Sequence, residues 1–197
     1  MINMNNSEIG ALIRTLRTEK GLTQSALAEL LSVSDRTVSK WETGRGCPDI
    51  SLLGSLSDIL GVNIEEILSG GLQTNTFVSG NMKKSSCYVC PVCGNLVIST
   101  GNATVSCCGR KLLPLQAQKA DPCHEITAEV IENDWFISSK HEMEKDHYIS
   151  FVAFASSGEI KIFKTYPEWE LQVRFPKRGH GILLWHCTKH GLFCKNI

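Results

Sequence analysis

The chain has no apolar run approaching the ~20 residues that a membrane-spanning helix needs. Its start, Met1-Ile2-Asn3-Met4-Asn5-Asn6, is polar and unlike a signal peptide. A cytoplasmic protein that makes no use of a membrane is the expectation. It also has no excess of charge: 20 Lys+Arg balance 20 Asp+Glu, so bulk charge selects no class of partner. What it does have is nine cysteines and six histidines in 197 residues. The cytosol keeps thiols reduced, which argues against a disulfide framework, and their spacing points to metal instead. The length allows one large domain or two to three small ones, and 42% hydrophobic content is enough for true cores.

Residues 1–70 carry six Lys/Arg against nine Asp/Glu, and the remainder carries fourteen against eleven. The first part reads as helical. Ser7 is placed to cap a helix with the stripe Ile9, Leu12, Ile13 and Leu16, ending at Gly21. Thr23 caps a second helix (Ala26, Leu27, Leu30, Leu31), and Ser34 a third that runs through Val38 and Trp41 to Gly44. Asp49 opens a fourth with Leu52, Leu53, Leu56 and Ile59. Asn63 and Glu66 have the spacing of a capping box for a short fifth. Only Leu31-Ser32-Val33-Ser34 links the second and third helices, so the two must cross sharply.

The stretch Leu22 to Gly44, L-T-Q-S-A-L-A-E-L-L-S-V-S-D-R-T-V-S-K-W-E-T-G, resembles the lambda repressor/Cro-like DNA-binding domains. Pro48 to Val62 continues the likeness, which covers about residues 7–69. It implies that the third helix enters the major groove. Carried over by position, Gln24, Lys40 and Arg45 would contact phosphates, while Ser34, Asp35, Arg36, Thr37 and Ser39 would reach base edges. Arg14 and Glu42 occupy the place of a buried ion pair, and Val38 and Trp41 are core. DNA is the implied partner, read by a homodimer on two half-sites. The acidic balance favours the alternative, a helical bundle for protein contacts, because DNA affinity comes largely from neutralised phosphates. Against it, Arg36, Lys40 and Arg45 cluster on the recognition side.

From Gly70 to Asn81 the sequence has no periodicity and reads as a flexible join, so 71–84 is taken as a linker. Cys87-Tyr88-Val89-Cys90-Pro91-Val92-Cys93-Gly94 and Cys107-Cys108-Gly109 follow. C-P-V-C-G is a metal knuckle whose turn aims two thiolates at one ion. Cys87 with Cys90 is a second C-x-x-C, without the Pro and Gly of the knuckle. The adjacent pair Cys107-Cys108 must splay two neighbouring side chains onto one metal. That oddity resembles desulforedoxin, the rubredoxin-like four-thiolate iron module, and the resemblance implies Cys90, Cys93, Cys107 and Cys108 as ligands within residues 85–118. A structural zinc ribbon is the alternative.

From Glu125 short, turn-bounded strands take over: Ile126 to Ile131, Trp135 to Ser138, Tyr148 to Ala155, Glu159 to Lys164, Trp169 to Phe175 and Gly181 to Cys187. Trp169 to Phe175 alternates apolar with polar, and the set suggests an immunoglobulin-like β-sandwich over 119–197. The fold class is thus multidomain: an all-α helix-turn-helix bundle, a small metal module and an all-β sandwich.

Cys187-Thr188-Lys189-His190, a thiolate and an imidazole three residues apart, is a sensible transition-metal pair. Cys187-Thr188-Lys189-His190-Gly191-Leu192 and His141-Glu142-Met143-Glu144-Lys145-Asp146-His147-Tyr148-Ile149 resemble two segments of desulfoferrodoxin and superoxide reductase. With the cysteine module, this likeness covers about residues 86–194. It implies iron held by His124, His141, His147 and His190 in one plane with Cys187 axial, reduction of superoxide to hydrogen peroxide, and an external electron donor such as rubredoxin. Cys123 is a rival ligand beside His124. His186 should point away from Cys187, His180 should be exposed, and Cys194 and Cys47 should be free thiols. The family's Glu-Lys before its first histidine is here Pro122-Cys123, and its His-Pro-Met is His141-Glu142-Met143. Weaker steering of an anion is expected from both changes, with Lys119 or Lys140 as candidate substitutes. A superoxide reductase carrying a DNA-binding domain is the first reading. A regulator whose iron senses redox or iron status is the second, and a repressor with a zinc-stabilised β domain the third.

Overall fold

The computed structural model describes residues 5–75 and 80–197. The polar start at 1–4 and the centre of the expected join at 76–79 lie outside the described residues. The chain divides into two compact units, Met1–Thr74 and Asn75–Ile197.

The first unit holds helices α1 (Asn6–Glu19), α2 (Gln24–Leu30), α3 (Asp35–Glu42), α4 (Leu53–Leu60) and α5 (Ile64–Ser69). Their apolar stripes converge, with Ile9, Ile13, Leu27, Val38, Leu56 and Ile67 at the centre of one core. Asn5, not Ser7, caps α1, its side chain accepting from the Ser7 N–H at 3.1 Å. Thr23 and Ser34 cap α2 and α3 as expected. Asp49 caps a 3-10 turn over Ile50–Leu52 that precedes α4. The expected capping box at Asn63 is absent, since the Asn63 side chain makes no cap bond. Glu66 accepts instead from the Gln73 backbone N–H. Helix α1 crosses α3 so closely at Gly10 that a Cβ there would lie 2.0 Å from the Trp41 carbonyl oxygen.

In the second unit, β1 (Ser86–Val89) pairs with β2 (Leu96–Ser99), and β3 (Val105–Cys107) with β4 (Arg110–Leu112), both antiparallel. Seven further strands form a sandwich: β5 (Ile126–Ile131), β6 (Asp134–Ser139), β7 (Ile149–Ala155), β8 (Ile160–Lys164), β9 (Gln172–Pro176), β10 (Ile182–Cys187) and β11 (Gly191–Asn196). One sheet has the order β11-β10-β7-β8 and the other β5-β6-β9. Strand β9 begins later than the alternation suggested: Leu171, Val173 and Phe175 point inward, but Trp169 is 71% exposed in the preceding turn. The final strand, β11, was not expected, because its core-facing stretch is short. It forms along β10.

Strands β7 and β10 are nearly unbroken apolar runs rather than alternations, which is what burial on both faces demands. One face, with Val152, Phe154, Leu183 and Trp185, fills the sandwich. The other, with Phe151, Ala153 and Leu184, packs on Cys87 and on Val89, Leu96 and Ile98 of the cysteine module. Each fully buried large side chain here contributes about 2–3 kcal/mol. The β7–β10 register slips at His186/Cys187, where Phe151 faces His186 but Ile149 faces Cys187. Such a bulge turns a strand locally and re-aims its side chains.

Candidate metal centres

The knuckle and the adjacent cysteines come together. Sulfur ligand atoms of Cys90, Cys93, Cys107 and Cys108 all lie within 4.8 Å of one another. Cys93 Sγ is 3.6 Å from Cys107 Sγ, which is 4.0 Å from Cys108 Sγ. Four sulfurs about 2.3 Å from one ion in a tetrahedron stand about 3.8 Å apart, so the cage has the right size. The adjacent pair splays because Cys108 adopts a left-handed backbone, φ 50°, followed by Gly109 at φ 70°. That conformation costs a non-glycine residue about 1 kcal/mol, a strain characteristic of a functional position. Backbone N–H groups of Cys93 and Val92 pull the Cys90 thiol down to about 6. Hydrogen bonds with Cys93, Cys90 and Cys107 push the Cys108 thiol up to about 12. Four crowded thiols cannot all ionise unless a cation takes up their charge. Cys87 is buried against the sheet, and burial raises its thiol. It is not in the group.

The second cluster forms at one end of the sandwich. His124 precedes β5, His141 and His147 lie on the loop from β6 to β7, Cys187 ends β10, and His190 precedes β11. Antiparallel register brings these ends together: Ile126 pairs with Ser139, and Cys187 with both Ile149 and Gly191. Donor atoms of His124, His147, Cys187 and His190 lie within 4.8 Å of one another. Ligands on opposite sides of one ion are about 4.2–4.6 Å apart at ordinary metal–nitrogen and metal–sulfur distances. His124 Nε2 is 2.8 Å from His190 Nδ1, and that nitrogen is 3.4 Å from Cys187 Sγ.

His141 stands at the edge of this group, its ring 4.6 Å from that of His147 and 5.1 Å from that of His124. Both of its ring nitrogens are buried without a hydrogen-bond partner, as is His147 Nε2. Leaving such atoms unsatisfied costs about 1–3 kcal/mol each. A cation among them would take up one nitrogen of each ring and so remove part of that cost, and the residues fit a metal. Burial, then the neighbouring His147, holds the His141 imidazole below its ordinary range. Burial, then His190 and Lys189, does the same for His147. Both are thereby kept neutral, the form that ligates. Cys123 is exposed and outside the cluster, while His124 beside it is buried within it.

Six contacts that the sequence reading did not name brace the cluster. Thr188 N–H donates to the Tyr148 carbonyl at 3.0 Å, and Tyr148 N–H to Thr188 Oγ1 at 3.2 Å, tying the Cys187–His190 turn to the loop of His147. Gln118 Nε2 donates to the His190 carbonyl and Trp185 Nε1 to that of His124. Phe193 stacks on the His124 ring, centroids 4.6 Å apart. Asp121 Oδ1 lies 2.6 Å from His124 Nδ1. A signal for this last contact was present, since Asp-Pro-x-His has the composition of an Asx turn. His186 faces the other way, stacked on Phe151 with Nδ1 2.8 Å from Ser150 Oγ, and His180 is exposed.

In the first unit, Ser34, Asp35, Arg36, Lys40 and Arg45 are exposed on or beside α3, with Thr37 and Ser39 half-buried. Three have local partners: Ser34 caps α3 and shares a hydrogen bond with the Thr37 hydroxyl, and Asp35 accepts from the Arg36 N–H. Gln24 is not free. Its Nε2 donates to Glu42 Oε2 at 2.7 Å. The buried ion pair expected between Arg14 and Glu42 is made by Arg17, whose Nε lies 2.5 Å from Glu42 Oε1. Arg17 is one turn further along α1, where its guanidinium also reaches the Leu22 carbonyl. Burial alone would raise the Glu42 carboxyl, but the bonds from Arg17 and Gln24 hold it low.

Residues 13–67 match the Helix-turn-helix family. The N-terminal unit is a helix-turn-helix domain. It is 46% identical over 63 residues to the HTH-type transcriptional activator BcrR of Enterococcus faecalis, a match covering 32% of this chain and 31% of that protein. It is 36% identical over 61 residues to the SPbeta prophage-derived HTH-type transcriptional regulator YonR of Bacillus subtilis, covering 31% of this chain and 56% of that one. The chain therefore spans only about a third to a half of the curated relatives that it matches. Superoxide reductase from Treponema pallidum superposes with a TM-score of 0.51 at 17% identity, over 57% of this chain and 98% of that one. The likeness shows the fold: a helix-turn-helix domain is joined to a β-rich unit built like a superoxide reductase. No helix among the described residues is long and apolar enough to cross a membrane.

Proposed function

We propose that the chain is a DNA-binding protein whose C-terminal unit holds iron and reduces superoxide. The observation that carries this reading is the convergence of His124, His147, Cys187 and His190, with the unpartnered nitrogens of His141 beside them. These five residues would hold the ion, and Cys90, Cys93, Cys107 and Cys108 a second one. Iron in the first site would supply one electron to superoxide, which with two protons becomes hydrogen peroxide, and a small electron-transfer protein such as rubredoxin would restore that electron. The imidazoles would hold the ion through nitrogen, and the Cys187 sulfur, buried at 0% exposure, would as a thiolate supply electron density to it. The Thr188 clamp keeps the thiolate and the histidine loop in register. Lys189, between Cys187 and His190 and electrostatically felt at His147, is a cation on the exposed side, where His190 opens to solvent.

In the helix-turn-helix domain, Arg36, Lys40 and Arg45 face the DNA. Ser34, Asp35, Thr37 and Ser39 lie along the same helix, and Gln24 is held in place by Glu42. A homodimer would address two half-sites about 34 Å apart. A second reading, in which the iron reports redox state to this domain, is favoured by Pro122-Cys123 and Glu142. By the resemblance, Cys123 stands in place of a lysine that would draw in an anion, Pro122 in place of a glutamate, and Glu142 adds negative charge where a proline would stand.

The test is reconstitution with Fe(II) followed by pulses of superoxide. Reduction predicts bleaching faster than spontaneous dismutation and one hydrogen peroxide for each superoxide, where dismutation yields half that. A decay no faster than buffer would defeat the enzymatic reading. Operator binding that differs between reduced and oxidised protein would favour the sensor, and coincident binding curves would remove it.

A further inference from the structure

The turn Asp121-Pro122-Cys123-His124 is built around a single carboxylate oxygen. Asp121 Oδ1 accepts from the backbone N–H of Cys123 at 3.0 Å and of His124 at 2.9 Å, and its shortest contact, 2.6 Å, is to His124 Nδ1. The turn is stiff for local reasons. Proline at 122 disfavours the helical region for Asp121, and the backbone N–H of His124 also reaches the Asp121 carbonyl at 3.0 Å. Trp185 Nε1 holds the His124 carbonyl at 2.9 Å, and Phe193 lies flat against the imidazole. The ring is therefore gripped on one nitrogen, on one face and at its backbone. Its remaining nitrogen, Nε2, points into the cluster, 2.8 Å from His190 Nδ1.

We propose that Asp121 is the positioning residue of the His/Cys centre. Its carboxylate keeps the His124 proton on Nδ1, so that Nε2 presents a lone pair to the metal, and it raises the electron density of that ligand. An ionised carboxylate only accepts hydrogen bonds, so the proton in the 2.6 Å contact is His124's own. With that proton on Nδ1, His124 has none to give His190, and any proton between the two rings belongs to His190. Carboxylate partners of ligating histidines fix the tautomer and orientation, and losing one typically lowers metal affinity by 10–100-fold. A residue needed only to shape the turn would use the two backbone contacts and leave Nδ1 alone.

This inference rests on the reading that the cluster holds a metal, but not on superoxide turnover. Its test therefore uses Co(II), read by thiolate and ligand-field absorption, in competition with a chromophoric chelator, together with the Fe(III)/Fe(II) midpoint potential. Asp121→Asn keeps an acceptor for the turn and for Nδ1 but removes the charge; Asp121→Ala removes both. The expected result is a 10–100-fold weaker Co(II) site in Asp121→Ala, with Asp121→Asn between it and wild type. The potential should rise in both variants, since a less electron-rich ligand favours Fe(II), while the Cys90 site keeps its metal. If Asp121→Asn equals wild type in affinity and potential, the carboxylate tunes nothing and the proposal falls. If both variants melt earlier yet bind Co(II) as wild type does, Asp121 merely shapes the turn, and the proposal falls again. A wild-type chain that binds Co(II) but never reacts with superoxide defeats the enzymatic reading and leaves this one standing.

Discussion

Acid should destabilise the C-terminal unit through His186, a histidine that ligates nothing. It is 7% exposed, stacked on Phe151 in the layer between the sheet and the cysteine module, and burial lowers its imidazole to about 4. An unfolded histidine titrates near 6.5. Between those values the unfolded chain binds a proton that the folded chain refuses, so stability falls as pH drops from about 6.5 to about 4 and levels below. At about 1.4 kcal/mol per pH unit the loss is roughly 3 kcal/mol. His186→Phe retains the stacking and removes the titration, at the expense of the Ser150 hydrogen bond, about 1 kcal/mol. The variant should thus be about 1 kcal/mol less stable than wild type at pH 7 and about 2 kcal/mol more stable near pH 4, a crossing of sign. Urea unfolding of metal-free protein followed through the buried Trp185 measures it, metal being removed because protonated ligands would release it in any case. Parallel stability profiles for the two proteins across this range would show that burying His186 costs nothing, contrary to the reasoning.

Three further outcomes are expected. Arg17→Met should cost about 3 kcal/mol in the thermal unfolding of the helical unit, because it strands Glu42, whose side chain is 2% exposed. Arg14→Met should cost under about 0.5 kcal/mol, and equal losses would contradict the observed pairing. Gly10→Ala should destabilise the same unit by about 1–3 kcal/mol or more, since the clash is with Trp41 backbone and cannot be relieved by a rotamer change. The circular-dichroism melt should shift while metal content does not. Cys108→Ser should remove one metal equivalent and its thiolate absorption, whereas Cys87→Ser should keep both and lose only stability, as metal analysis of the two variants would show.

Much of the fold could be read from residue pattern. Helical spacing with the caps Thr23 and Ser34 located α2 and α3 to the residue or nearly so, because caps are local and a short link leaves few geometries. Sandwich strands were legible for the same reason, down to Ile126–Ile131. Strand β11 was not, since a short apolar segment becomes a strand only when β10 offers it a ladder. The Arg14/Arg17 choice was equally closed to inspection: both lie on α1, and only the docking angle of α1 on α3 says which guanidinium meets Glu42.

Residue types able to bind a metal, and their spacing, are written in the sequence. C-P-V-C-G, the adjacent Cys107-Cys108 and C-x-x-H are local chemistry, and they single out candidate donors before any fold is known. Which of those donors meet is decided by tertiary structure. Cys123 and His124 are neighbours in the chain, yet the turn at Asp121 sends one to solvent and the other into the cluster. His186 and Cys187 likewise part to opposite faces of a strand. Sequence distance carries no information about convergence across 66 residues, the separation of His124 and His190. Strand register supplies it, by bringing three chain segments to one end of a packed sandwich.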